Sequence, residues 1–202
     1  MIEEKIETAF DAFENGEVQQ AYRLFDEMKS ELETGHDDYS TYQHALGYLY
    51  IADQKFDEAR EHYLAMLEDA EADERPSILH QLGTVEQLDS EFSQAEDYFR
   101  QEAACLSDDD HAAMAANYYA HGYTMMLSGD YRTALRLLQQ SLEKADDDIR
   151  AHAERALGEL FAAQNDMTQA RDHFTAAKKH FRASGDHLGA EEIEMLESII
   201  FE

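Results

Sequence analysis

A five-fold internal recurrence limits what this chain can fold into more than any other feature of its sequence. Small residues stand at Ala9, Gly47, Gly83, Gly122 and Gly158, separated by 38, 36, 39 and 36 residues, and fixed offsets run from each of these landmarks. Nine residues on come Val18, Phe56, Phe92, Tyr131 and Met167; twelve on, always alanine, come Ala21, Ala59, Ala95, Ala134 and Ala170. Four residues later stand Phe25, Tyr63, Phe99, Leu138 and Phe174, a large residue one helical turn beyond a small one. The offsets within a unit never vary while the spacing between units does. Each unit is therefore a rigid piece, and length changes fall between pieces.

Composition decides what that piece is. The chain is rich in Ala, Leu, Glu, Gln and Met and has one proline and nine glycines in 202 residues, which favours helix and leaves few places to break it. Seven residues after each landmark stand Gly16, Gln54, Ser90, Gly129 and Asn165, mostly small or polar types suited to a turn. Each unit then reads as helix A, a short turn and helix B, with approximate bounds 2–36, 38–73, 75–107, 109–146 and 148–184 in a single array. Small residues at the landmark and at the alanine let the two helices approach, and the large residues are expected to fill the space towards the next hairpin. Gly185 and Asp186 end one helix and cap a last one over 187–201, whose Ile193, Leu196 and Ile200 form the packing stripe. Met195 and Phe201 fall off that stripe. Edge packing explains this terminal helix, with a homodimer contact as the functional alternative.

These residues resemble the tetratricopeptide repeat, whose signature places Leu-Gly and an aromatic on helix A, then alanine and an aromatic four later on helix B. The pattern is carried by Leu46, Gly47, Tyr50, Ala59 and Tyr63; by Leu82, Gly83, Ala95 and Phe99; and by Leu157, Gly158, Phe161, Ala170 and Phe174. The fourth unit keeps Gly122 and Ala134 but has His121 where leucine is usual, and the first keeps mainly its helix B half. The family's early tryptophan is replaced by Gln43, Leu79, Tyr118 and Glu154, and the usual closing proline is missing. The resemblance implies an all-α fold, a right-handed superhelical solenoid of antiparallel helix hairpins. Units longer than the common 34 residues resemble the longer-armed members found in bacterial regulators that respond to peptides.

The same resemblance puts helix A on an inner groove, with the residues three before, one after and four after each landmark pointing inward. In this sequence those are Ile6, Phe10 and Phe13; His44, Tyr48 and Ile51; His80, Thr84 and Gln87; Tyr119, Tyr123 and Met126; Arg155, Glu159 and Ala162. The central part of that surface is aromatic, bears histidine and is nearly free of acid. In so acidic a chain this points to a face for a peptide or protein, with His44, Tyr48, His80, Thr84, Gln87, Tyr119, Tyr123, Met126, Arg155 and Glu159 as the binding residues. The competing reading is that some of these side chains only complete the packing. The lysines that capture a C-terminal carboxylate in the family's chaperone-binding branch have no counterpart here. Arg155 alone could anchor an acidic group. A peptide- or protein-binding adaptor is the leading expectation and a peptide-sensing regulator that switches conformation is the second. A hydrolase or phosphatase is the third, and its polar constellation cannot be assembled.

Charge and residue usage exclude other classes. With 45 acidic against 16 basic residues the formal charge is −29, and no basic stripe is segregated, so nucleic acid and anionic membrane are not expected partners. The uncharged stretch from His111 to Gly129 contains two His, three Tyr, Asn, Gly, Thr and Ser, and reads as a buried central helix rather than a membrane span. The acidic start MIEEKIETAF does not resemble a signal peptide, and a lone Cys105 suits a reducing cytoplasm, where it is expected to be a small buried hydrophobe. Ten histidines raise the question of a metal. The one Glu-x-x-His, Glu33 to His36, is interrupted by Gly35, and no His-Glu-x-x-His, Cys-x-x-Cys or phosphate-binding glycine loop occurs. No catalytic residue, metal or cofactor is expected. The surplus of carboxylates with only six lysines suggests adaptation to high salt. On that reading the melting temperature rises with added KCl; a flat or falling value in a thermal scan would count against it.

Overall fold

The computed structural model describes residues 2–32, 37–107 and 109–201, and among these the chain forms eleven α-helices and no strand. Glu33 to His36 lies outside the described residues. Two compact units are formed, Met1–Ala70 and Glu71–Glu202. The first holds α1 (Ile2–Glu14), α2 (Val18–Glu31), α3 (Asp37–Ala52) and α4 (Phe56–Asp69). The second holds α5 (Arg75–Leu88), α6 (Phe92–Cys105), α7 (His111–Leu127), α8 (Tyr131–Lys144), α9 (Asp147–Ala163), α10 (Met167–Ser184) and α11 (His187–Ile200).

The recurrence translates directly into backbone geometry. The residue nine after each landmark is the first of helix B in all five hairpins. The residue seven after is left-handed in all five, with φ of 82° at Gly16, 57° at Gln54, 65° at Ser90, 88° at Gly129 and 62° at Asn165. This is how a helix closes its last free carbonyls: Gln54 N–H donates to Ile51 O at 3.0 Å and Lys55 N–H to Tyr50 O at 2.9 Å, a Schellman turn. The same pair recurs at Asn165 to Ala162 and Asp166 to Phe161, both 2.9 Å. Gln54, Ser90 and Asn165 hold a Cβ where glycine is at ease, at about 1 kcal/mol each. The two hydrogen bonds and the packed helices on either side hold them there.

Packing explains the small residues. All five alanines at the twelfth offset are fully buried, and so, to within 1%, are Phe25, Tyr63, Phe99, Leu138 and Phe174. Towards the next hairpin, where the sequence reading placed these side chains, Phe25 meets Tyr42 of α3 and Phe99 meets His121 of α7; their packing within their own hairpin was not anticipated. Each of the last four lies over the landmark glycine of its own hairpin. A Cβ on Gly83 would stand 2.6 Å from the Phe99 ring, one on Gly158 2.6 Å from Phe174, and one on Gly122 3.0 Å from Leu138; Gly47 is covered in the same way by Tyr63. Burying each large side chain is worth about 2 to 3 kcal/mol, and the missing Cβ is the condition for it.

In the first unit Phe25 meets Phe10 edge-on at 6.1 Å and Tyr42 of α3 at 5.8 Å. Ile6, Phe10 and Phe13, expected on an open inner face, are instead partly buried against this core. In the second unit the hairpins α5–α6, α7–α8 and α9–α10 stack in order, and α11 covers α10. Asp110, Asp130, Asp146, Asp166 and Asp186 each accept a hydrogen bond from a first-turn N–H of α7 to α11, so part of the acid surplus does capping work. On α11, Ile193 is fully buried and Leu196 and Ile200 pack on the core as their spacing predicted. Phe201 packs too, edge-on to Phe174 at 6.1 Å and beneath the Arg171 guanidinium, whereas Leu188, Met195 and Ile199 are exposed. Cys105, at the last turn of α6, is exposed and not the buried hydrophobe expected. The uncharged stretch is α7, with Ala115, Asn117, Ala120, His121, Gly122, Thr124 and Met125 buried, and no helix among the described residues is long and apolar enough to cross a membrane.

His121 occupies the register of Leu82 and Leu157 and is itself only 7% exposed, stacked on Phe99. Its Nε2 has no hydrogen-bond partner among the described residues and lies 3.9 Å from Glu96. Burial first, then the charges of Arg100 and Arg136, push its pKa down from 6.5 to about 4. The folded state thus refuses a proton that the unfolded chain accepts below 6.5, so stability is full above that pH and is lost as pH falls towards 4. His121→Leu is expected to flatten this part of the pH profile and to raise stability at pH 4 by on the order of 2 kcal/mol in urea denaturation, with little change at pH 8. An unchanged slope between those pH values would refute the assignment.

Candidate functional site

Helical spacing brings part of the expected face together. Tyr119 and Tyr123 stand three before and one after Gly122 on α7, and Arg155 and Glu159 hold the same offsets around Gly158 on α9, one turn apart within each pair. Because α7 packs against α9, the four meet. With His152 and Ala156 they line a pocket of about 180 Å³ within the second unit.

The two tyrosine rings stack at 6.0 Å with 26° between their planes, and the His152 ring is 5.8 Å from Tyr119. Burial pushes the Tyr119 phenol up to about 12 and raises that of Tyr123, so both are neutral donors at any ordinary pH. Neither hydroxyl, nor the His152 imidazole, has a hydrogen-bond partner among the described residues, and none of these atoms is sealed from solvent. Arg155 is engaged: its Nε donates to Glu159 Oε1 at 3.0 Å and its Nη1 to Glu192 Oε2, on α11, at 2.9 Å. Burial works against the guanidinium charge, but these two carboxylates outweigh it and raise the Arg155 pKa. An anchor for an acidic ligand group, the role the sequence suggested, is therefore already taken up by the chain's own carboxylates.

His152 and Glu192 escaped the sequence reading. His152 lies three residues before Arg155, so carrying the inward stripe one turn towards the N-terminus would have found it. Glu192 belongs to the terminal helix, and no repeat offset points to it.

The other expected residues are placed elsewhere. His44 and Tyr48 belong to the first unit, where the Tyr63 hydroxyl donates to His44 O at 3.5 Å and Tyr48 is 47% exposed. On α5, Thr84 donates to His80 O at 3.0 Å within its own helix, and Gln87 is partly buried beside the turn. Met126 packs on the core. His80 serves the fold: its Nδ1 is 3.0 Å from both carboxylate oxygens of Glu102, which is 4% exposed. Asn117 completes this network, giving 2.8 Å bonds to Glu102 Oε2 and to Phe99 O, so that α5, α6 and α7 are tied through one buried carboxylate.

Other histidines are used in the same way. His62 Nε2 donates to Gln43 O at 2.8 Å, His173 pairs with Glu154 at 2.6 Å and His180 with Asp147 at 2.9 Å, each joining the two helices of a hairpin. His62 and His173 are ties between helices. Among the described residues no three His, Cys, Asp or Glu side chains converge as metal ligands.

Solved structures with this arrangement are tetratricopeptide repeat proteins. TTC0263, a thermophilic TPR protein of Thermus thermophilus, aligns over 100% of this chain and 99% of its own with a TM-score of 0.72 at 14% identity. PilW, a type IV pilus biogenesis factor, aligns over 99% and 93% with a TM-score of 0.66 at 16% identity. BtubC from P. vanneervenii aligns over 89% and 79% with a TM-score of 0.68 at 18% identity. The fold is the tetratricopeptide repeat. No family model matches the sequence, and no curated protein does.

Removing the buried carboxylate separates a structural His80 from a ligand-binding one. Glu102→Ala strands His80 and Asn117 and is expected to cost about 3 kcal/mol in chemical denaturation. A loss under about 1 kcal/mol would return His80 to the ligand-binding candidates.

Proposed function

We infer that this protein is a peptide- or protein-binding adaptor and that the pocket between α7 and α9 is the centre of its binding surface. The observation that carries the reading is the set of unsatisfied groups there: two tyrosine hydroxyls and an imidazole, all without partners among the described residues, around a pocket walled by stacked rings. Solvent reaches these groups, and tyrosines that combine a large apolar face with an unpaired hydroxyl are the residues interfaces use as anchors. At about 180 Å³ the pocket is below the size range of sites for drug-sized molecules and suits one side chain of a larger partner. The fold supports the same reading, since stacked hairpins offer an extended surface on which one such anchor could be flanked by weaker contacts. The reading needs no catalytic group.

The test is a random-peptide display selection on the wild-type protein, repeated with Tyr119→Ala/Tyr123→Ala. The double variant is expected to weaken selected peptides by roughly tenfold or more while helicity by circular dichroism is kept. Equal binding by both proteins would overturn the assignment.

A further inference from the structure

We propose that the group this pocket accepts from its partner is a cation, an arginine or lysine side chain on an extended segment. The proposal rests on the peptide-binding reading and adds the chemistry of the ligand.

Local charge carries it. Among the described residues Arg155 is the one cation lining the pocket, and it is hydrogen-bonded to two carboxylates, Glu159 and Glu192, so the three side chains together carry one negative charge. Each carboxylate uses a single oxygen for Arg155, at Glu159 Oε1 and Glu192 Oε2, and the other oxygen of each has no partner among the described residues. An incoming carboxylate would meet a compensated guanidinium and two like charges. An incoming ammonium or guanidinium would meet the free acceptor oxygen of Glu159, which lines the pocket, and a guanidinium whose charge Glu192 already offsets from outside it.

The walls favour the same occupant. Stacked Tyr119 and Tyr123 present π faces, which attract a cation through the ring quadrupole and do so more strongly where water is thinned. Tyrosine and imidazole can both accept a hydrogen bond from an N–H donor. Beyond the pocket, a chain of net charge −29 draws basic segments towards it and repels acidic ones, an effect that weakens as salt screens it.

The probes are three acetylated, amidated pentapeptides, Gly-Gly-X-Gly-Gly, with arginine, glutamine or glutamate at X, titrated into the labelled full-length protein by NMR. The amides of Tyr119, Tyr123, His152 and Glu159 report on the pocket. The arginine peptide is expected to bind about fivefold or more tightly than the other two at low salt, a gap that narrows as salt is added. Glu159→Gln/Glu192→Gln leaves Arg155 uncompensated and should reverse the order in favour of glutamate. The exposed single change Glu192→Gln, which leaves the Glu159 bond in place, should bring the arginine and glutamate peptides close to parity. A control that removes two carboxylates from α1, Glu3→Gln/Glu7→Gln, should leave the order as it is in the wild type. Glutamate or glutamine binding as tightly as arginine to the wild type, or an order that both pocket variants leave unmoved, would overturn the cationic ligand while keeping the pocket as a peptide site. If none of the three peptides shifts the pocket amides, the peptide-binding reading falls along with it.

Discussion

In four of the five hairpins the packing of helix A on helix B depends on a missing methyl group. Where Gly47, Gly83, Gly122 and Gly158 face Tyr63, Phe99, Leu138 and Phe174, an added Cβ would occupy space the larger side chain fills. The contact is local to one hairpin, which is why the offsets inside a unit cannot change while the connections between units can. It also sets how close helices A and B lie, and so which side chains of helix A remain to face other hairpins. The positions of Tyr119, Tyr123, Arg155 and Glu159 follow from it, since each is counted from a glycine locked in this way.

The chain spends its polar residues on two separate tasks. Histidines and carboxylates are paired between the two helices of a hairpin as His80 with Glu102, His173 with Glu154 and His180 with Asp147, and these ties use groups that would elsewhere suggest a metal or a catalytic site. A different set, the Tyr119 and Tyr123 hydroxyls and the His152 ring, is left unpaired at one place. The contrast singles out the pocket, because a chain that pairs so many of its histidines has not paired these groups.

Most of the architecture was legible in the sequence because it rests on contacts at fixed short separations. The first residue of every helix B and the left-handed residue before it fell on the counted offsets. What was not legible depends on the side chain's own direction or on contacts between distant segments. Tyr63, Phe99, Leu138 and Phe174 were assigned only to the gap towards the next hairpin, and their contact with the glycine of their own hairpin was missed, because spacing shows that a residue is inward but not every neighbour it meets. His80 was placed on a binding face, yet its partner Glu102 is 22 residues away at a position no offset marks. Tyr119, Tyr123, Arg155 and Glu159 were found from repeat counting, and Glu192, which changes the meaning of Arg155, could not be.

That last contact alters what the terminal helix is. A helix that closes a stack of hairpins is ordinarily an inert lid over exposed core, open to removal at the cost of stability alone. Here α11 supplies the second carboxylate on Arg155, so the sign of the charge around Arg155 is written partly in a segment outside α7 and α9. Shortening the chain from its C-terminal end, or lifting α11 by docking something against its exposed Leu188, Met195 and Ile199, would leave Arg155 with Glu159 alone and bring the pocket from negative to neutral. The end of the array and the pocket between α7 and α9 are in that sense one electrical object.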